Sequence, residues 1–185
     1  IPLHQGKDKS IVVCSLGDAS ITEGEVSEAF QMAALRQLPI LFLIQDNDWD
    51  ISANAEEIRA QNAYELIQGF HGIEALSIDG TDYAACFSTM REVVTTMRKE
   101  QRPFLVHAKV TLLNHHTSGV RKEWYRDDLE EHMSRDPYPK FKGQLLEAGF
   151  SATIIERWES DIIEAVQSDY NKALLEEDPK PEDLF

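Results

Sequence analysis

The stretch from Leu38 to Ile44, LPILFLI, holds no polar side chain. It is far too short to span a membrane and too continuous for a strand with one wet face. Pro39 stops the helical pattern before it. Residues 40–45, ILFLIQ, therefore read as a strand buried on both faces, the kind found in parallel sheets. Such a strand needs helices above and below it, which constrains the chain to an α/β fold.

The flanking segments agree. IVVCSL (11–16) is a second apolar run, ending at Gly17. Val26, Ala29, Phe30, Ala33 and Ala34 then recur at helical spacing. Ser20 with Glu23, or Thr22 with Glu25, has the spacing of a capping box for that helix. A helix over Ile58–Ile67, a strand at ALSID closed by Gly80, a helix near Ala84–Lys99 and a strand FLVHAKV opened by Pro103 complete the alternation. The expectation is a parallel sheet flanked by helices over residues 1–113.

From Asn114 the pattern changes. NHHTSGVRKEWYRDD is polar and irregular, and DPYPKF reads as a turn with two prolines. Residues 114–140 are expected to form a loop and linker. Phe141–Ala148 and a longer stripe of Ile155, Trp158, Ile162, Val166 and Tyr170 make 141–185 a helical extension. Met97 and Trp158 lie on apolar stripes and read as packing residues. The opening IPLHQGKDKS has no initiator Met and reads as a linker, so the chain is expected to be a piece of a longer polypeptide. The closing EEDPKPEDLF reads as a solvated acidic tail.

The balance of 33 acids against 18 bases gives a net charge of −15. That excludes nucleic acid and anionic membrane as natural partners, because phosphate backbones are held by Lys and Arg. No signal-peptide pattern opens the chain. Cys14 and Cys86 make neither a disulfide framework nor a zinc motif. Cys14 reads as a buried free thiol, which fits the bacterial cytoplasm or another reducing compartment.

The chemistry concentrates where two strands end. SLGDASITEGE (15–25) puts Gly17-Asp18-Ala19-Ser20 at one exit, and Gln45-Asp46-Asn47-Asp48-Trp49 stands at the next. Ligands of open parallel sheets bind outside the carboxyl ends of the strands. If the two strands are neighbours, both groups share one rim, with a helix N-terminus beside them to receive an anion. One carboxylate with one amide oxygen suits Mg²⁺ or Ca²⁺ and leaves room for a diphosphate. A dinucleotide site is a poor rival, since no G-x-G-x-x-G follows the first strand.

The pairing GDAS…QDNDW resembles the GDG…NN thiamine-diphosphate motif. In detail the chain is similar to the alpha subunits of the thiamine-dependent 2-oxoacid dehydrogenases, through GDASITEGEVSEA, LPILF, QDNDWDIS, GFHGIEALSIDGTD, RPFLVHAKV, NHHTSG…YR, DPYPKF and EDLF. The nearest branch is the branched-chain (2-oxoisovalerate) enzymes. The resemblance implies a thiamine-diphosphate-binding fold and Mg²⁺- and thiamine-diphosphate-dependent oxidative decarboxylation of a 2-oxoacid. It also implies acyl transfer to a lipoyl-bearing acyltransferase. Asp18 would ligate the metal, with Asn47 through its side-chain oxygen and Trp49 through its carbonyl. Ala19, Ser20 and Gln45 would lie along the diphosphate, and His116 beside it, with a part in acyl transfer. His115 reads as structural. The family's aminopyrimidine half-site lies on a beta-type subunit or fused domain, in a heterotetrameric assembly. Against the family pattern, Ala19 replaces the second Gly, Asp46 the first Asn, and Asp48 a Gly or neutral residue. Alternatives are a pyruvate or acetoin dehydrogenase alpha subunit, and a degenerate assembly domain without catalysis.

Overall fold

A computed structural model describes residues 9–180 and residue 182. Most of the opening segment IPLHQGKDKS and of the closing EDLF thus lies outside the described residues. Chain contacts divide into two compact units, one ending at Lys140 and the other beginning at Phe141.

The first unit is built on strands β1 (Val12–Gly17), β2 (Ile40–Asp46), β5 (Glu74–Asp79) and β6 (Phe104–Lys109), with helices α1 (Gly24–Arg36), α3 (Ala63–Ile67) and α4 (Tyr83–Glu100). The four strands are parallel, in the order β1-β2-β6-β5. Between β2 and α3 lie a two-residue hairpin, β3 (Trp49–Asp50) with β4 (Ala53–Asn54), and a short helix α2 (Ala55–Ile58). Among the described residues no helix is long and apolar enough to cross a membrane.

The central strands bury both faces. Phe42, Ile44 and Leu105 pack with Phe30 and Ala33 of α1 and with Ala63 and Ile67 of α3. Leu41, Phe104 and Val106 pack with Val93 and Met97 of α4. The topology accounts for this division. Strand order advances from β1 through β2 to β5, then turns back to β6, and a fixed crossover hand sends the returning helix to the opposite face. Asp46 and His107 continue the alternation of Ile44 and Leu105, so both point to the α1/α3 side, where the polar site stands.

Three local expectations are corrected. β1 is an edge strand and alternates half-buried with exposed residues; Val13 is half exposed and Cys14 only partly covered. Only one of its faces is covered: Cys14 and Leu16 pack on the cluster under α1 and α3, while Val13 and Ser15 face outward. Neither capping box forms near Ser20: residues 19–22 make a 3-10 turn, and Glu23 caps α1 without a side-chain hydrogen bond. The third concerns DPYPKF, which starts a helix instead of a turn: α6 runs Pro137–Glu147, and its opening N–H groups have no helical partner for a proline to remove.

In the second unit Gly149, at φ +93°, follows α6, and Ser151 caps α7 (Ala152–Ala173) by accepting from the Ile154 N–H. Phe150 packs on Trp158 with ring centroids 5.4 Å apart. Ile155 is buried, whereas Ile162, Val166 and Tyr170 stay exposed.

Candidate functional site

Most charged groups of the site stand at a strand's carboxyl end. Asp18 follows β1, Asp46 ends β2, and His107 and Lys109 close β6. The pairing of β1 with β2 sets Gly17 beside Gln45, and that of β2 with β6 sets Asp46 beside Lys109. The Val110 N–H donates to the Asp46 carbonyl and ties the two strand ends together. Gly80 donates to the Lys109 carbonyl at 2.8 Å; a Cβ there would meet Val110 at 2.6 Å, so this approach requires glycine.

The loop after β2 is wound tightly. The Asp48 N–H donates to the Asp46 side chain and the Trp49 N–H to Asn47 Oδ1, each at 3.0 Å. Asp48 takes φ +66°, where Gly is easiest and Asp is among the better tolerated residues. Ala19 is not among the described residues of positive φ, so the absence of glycine there costs no strain.

Two reciprocal capping boxes follow, Asn54 with Glu57 and Asn62 with Glu65. They split the single helix expected over 58–67 into α2 and α3. Arg59 falls in the gap with extended backbone, φ −146° and ψ 140°. Its side chain, only 6% exposed, runs back under the rim.

There it meets the acids. Arg59 Nη1 lies 2.9 Å from Asp18 Oδ2. Nη2 lies 2.9 and 3.0 Å from the two Asp46 oxygens and 3.3 Å from Asp48 Oδ1. Lys109 Nζ contacts Asp48 closely and reaches Asp46 at 3.5 Å. His107 Nε2 meets Asp46 Oδ2 at 2.7 Å, while its Nδ1 lies 2.9 Å from the Ser77 hydroxyl. Asp18 and Asp46 are both buried, at 1% and 0% exposure.

The two buried acids titrate in opposite directions. Burial raises Asp18 to about 6, with the Asp46 charge pushing the same way; Arg59 and the backbone N–H groups of Asp18 and Asn47 only partly offset this. Burial also disfavours charge on Asp46, but hydrogen bonds from His107 and Arg59 and the charge of Lys109 outweigh it and hold Asp46 well below the usual range. Asp46 is thus the fixed anion at pH 7, and Asp18 the acid whose charge is least supported.

Asp18 Oδ2 fits a hard cation. It is buried and, although Nη1 is near, it has no aligned hydrogen-bond donor among the described residues. Carboxylate oxygen is the donor Mg²⁺ selects. Asn47 brings an amide to the same rim, its Oδ1 taken up by the Trp49 N–H. Among the described residues no group of three or more His, Cys, Asp or Glu is spaced to ligate a metal.

The remaining sequence-expected positions are distributed as follows. Ala19 and Ser20 are half-buried in the 3-10 turn, so the N–H groups beside Asp18 belong to that turn and α1 starts later, at Gly24. Gln45 points to the α4 side of the sheet and accepts from the Ser15 hydroxyl at 3.1 Å, away from Asp46. Trp49 is buried and donates its Nε1–H to Asp128 at 2.7 Å. His116 is exposed on the loop after β6. His115 accepts from the Lys122 N–H, in keeping with a structural part. Arg59, His107 and Lys109 were not singled out for the site by sequence.

A parallel sheet covered on both faces, with buried acids and an amide at its carboxyl ends, defines an α/β protein whose polar rim lies where open parallel sheets bind ligands. The chain belongs to the dehydrogenase E1 component family, whose model matches residues 3–182. It is 27% identical over 171 residues to the 3-methyl-2-oxobutanoate dehydrogenase subunit alpha of Mycobacterium tuberculosis, covering 91% of this chain and 47% of that protein. It is 25% identical to the mitochondrial 2-oxoisovalerate dehydrogenase subunit alpha 1 of Arabidopsis thaliana, covering 94% and 36%. It is 26% identical to the pyruvate dehydrogenase E1 component subunit alpha of Rickettsia bellii, covering 92% and 53%. The chain thus spans about half the length, or less, of these curated relatives.

Proposed function

We propose that this chain is the alpha-type, diphosphate-binding part of a thiamine-diphosphate-dependent 2-oxoacid dehydrogenase, acting on a branched-chain oxoacid. The observation that carries the reading is the family match over 3–182 together with Asp18 and Asn47 meeting on one rim. Asp18, the Asn47 side chain and the Trp49 carbonyl would hold Mg²⁺. Ala19, Ser20 and Gln45 would lie along the diphosphate, and His116 would face the incoming lipoyl group. Bound thiamine diphosphate supplies the carbanion chemistry. The chain's own work is to seat the cation with Asp18 and to shield the rim from water by burial. A beta-type subunit or fused domain completes the site, and a lipoyl-bearing acyltransferase takes the acyl group. The branched-chain preference follows the names of the M. tuberculosis and A. thaliana relatives; the R. bellii relative makes pyruvate the competing substrate.

The test is titration of the chain with its beta-type partner, Mg²⁺ and thiamine diphosphate, followed by a panel of branched and linear 2-oxoacids. Cofactor binding with faster turnover of branched oxoacids is expected. Absence of both binding and decarboxylation overturns the assignment. The degenerate reading has one observation in its favour, the guanidinium already seated among the acids.

A further inference from the structure

We propose that Ser77 is a nucleophile activated by His107, with Asp46 holding the imidazole in place, and that it takes the acyl group of activated esters. The inference goes beyond the proposed function and needs neither its cofactor nor its partner.

Placement is the first support. Strands β5, β6 and β2 lie side by side, and their register sets Ser77 opposite His107 and His107 opposite Ile44, two residues before Asp46. Ala75, Leu105 and Ile44 pack in one cluster, so Ser77, His107 and Asp46, each two residues further along its strand, leave the same face of the sheet. Three adjacent strands hold their spacing rigidly. Ser77 stands on the edge strand and is exposed, whereas His107 and Asp46 are buried, at 5% and 0% exposure. A hydroxyl open to solvent thus rests on a buried imidazole–carboxylate pair.

The hydrogen bonds set the roles. His107 Nε2 lies 2.7 Å from Asp46 Oδ2, and Nδ1 lies 2.9 Å from Ser77 Oγ. Asp46 also holds Arg59 and Lys109, so it is a carboxylate and only accepts. Nε2 of the neutral ring therefore carries the proton, and Nδ1 accepts from the Ser77 hydroxyl. A base within reach of a hydroxyl, with a third group fixing the base, is the arrangement that activates serine. Either ring nitrogen can take the proton when the acid holds the other. Filling a ring nitrogen does not require a hydroxyl open to solvent; attack on an ester does.

The step balances without an oxidant or cofactor. Ser77 Oγ bonds to the ester carbonyl carbon as its proton passes to His107 Nδ1. The bond to the alkoxy or phenoxy group then breaks, and His107 returns the proton to the leaving oxygen or to water. A water that gives its own proton to His107 next releases the carboxylic acid from Ser77. Arg59 and Lys109 share Asp46 and blunt its support of an imidazolium. The substrate class is therefore esters with good leaving groups, and not amides.

The test treats the full chain with p-nitrophenyl acetate and, separately, with a fluorophosphonate, and locates the label by peptide mass spectrometry. Ser160 and Ser168, exposed on α7, are internal controls. Ser77 is expected to label about a hundredfold faster than either, the lower end of general-base catalysis. Ser77→Ala loses the label and the burst of p-nitrophenolate. His107→Gln and Asp46→Asn, where folded by circular dichroism, lower the Ser77 rate relative to Ser160 and Ser168, a ratio that a merely structural role would not move. Label spread over the exposed serines without preference for Ser77 overturns the proposal. So does a burst that survives Ser77→Ala, or a folded His107→Gln that labels Ser77 at the unaltered ratio. If neither His107→Gln nor Asp46→Asn folds, the position of the label in the unaltered chain and its loss in Ser77→Ala, an exposed position, decide.

Discussion

Two buried arginines, Arg59 and Arg126, are held in opposite ways. Arg59 is shared among Asp18, Asp46 and Asp48. Arg126 donates its Nε–H to one carboxylate, Asp128, at 2.8 Å and lies over the Trp49 ring, 5.1 Å from its centroid. Its Nη1 and Nη2 have no hydrogen-bond partner among the described residues. Asp128 in turn accepts from Trp49 and meets His132 Nε2 at 3.2 Å. His132 Nδ1 accepts from the Leu112 N–H and its carbonyl from the Thr111 hydroxyl, so His132 ties down the segment after β6. Around Arg59 three acids are shared with Lys109 and His107, so one guanidinium is spread over several anions. Around Arg126 one acid gathers several donors, so the cluster fastens Trp49.

The sharpest way to break this contrast is to remove the central anion of each cluster. Asp46→Asn leaves Arg59 and His107 without their shared carboxylate. It is expected to cost about 3–5 kcal/mol, the usual range for a broken buried pair. Asp128→Asn removes charge-assisted hydrogen bonds at a less buried acid and should cost about 1.5–3 kcal/mol. Urea unfolding of both variants checks the order. Equal losses would mean that the crowding of acids at Arg59 has no energetic consequence.

Asp18→Asn should move stability the other way. The folded form holds the Asp18 proton up to about pH 6, against a usual value of 3.8. A raised acid makes the folded state bind protons more tightly, so its contribution is greatest below pH 4 and is lost as pH rises to about 6. Asp46, lowered in the folded form, is fully favourable across that window and loses its contribution only at more acid pH. Replacing Asp18 therefore removes a decline. The variant should be flat between pH 4 and 6 and more stable than the unaltered chain at pH 7 by about 1–3 kcal/mol, the upper limit being set by two pKa units. Urea unfolding at several pH values across that window reads it, and an unchanged slope would remove Asp18 from the account.

The sheet and the meeting of Asp18 with Asn47 were legible because both follow from period and position. ILFLIQ can only be a doubly covered strand, and residues after its end must sit on the carboxyl rim. Arg59 was hidden by a helix read straight through it. The signal was present as N-x-x-E twice, at Asn54–Glu57 and Asn62–Glu65, two helix starts with no room for one helix between them. His107 and Lys109 stand two apart in FLVHAKV and must share a face, but only the strand order β2-β6 brings that face to Asp46. Gln45 takes the exposed position of the alternation because its neighbour Asp46 takes the buried one.

The smallest effect tests whether the Arg126 cluster merely fastens the loop. Trp49→Phe keeps an aromatic face for Arg126 and removes only the Nε1–H that reaches Asp128. Asp128 retains Arg126 and His132, so the loss is one hydrogen bond to a charged acceptor, with some packing. About 1–2 kcal/mol is expected by thermal or urea unfolding. The Trp49 backbone N–H still occupies Asn47 Oδ1, and Arg59 is untouched. The loss should therefore add to that of Asp46→Asn when the two substitutions are combined, as urea unfolding of the double variant reads. A combined loss far from the sum would mean that the two arginine clusters are coupled through the Asn47–Trp49 turn.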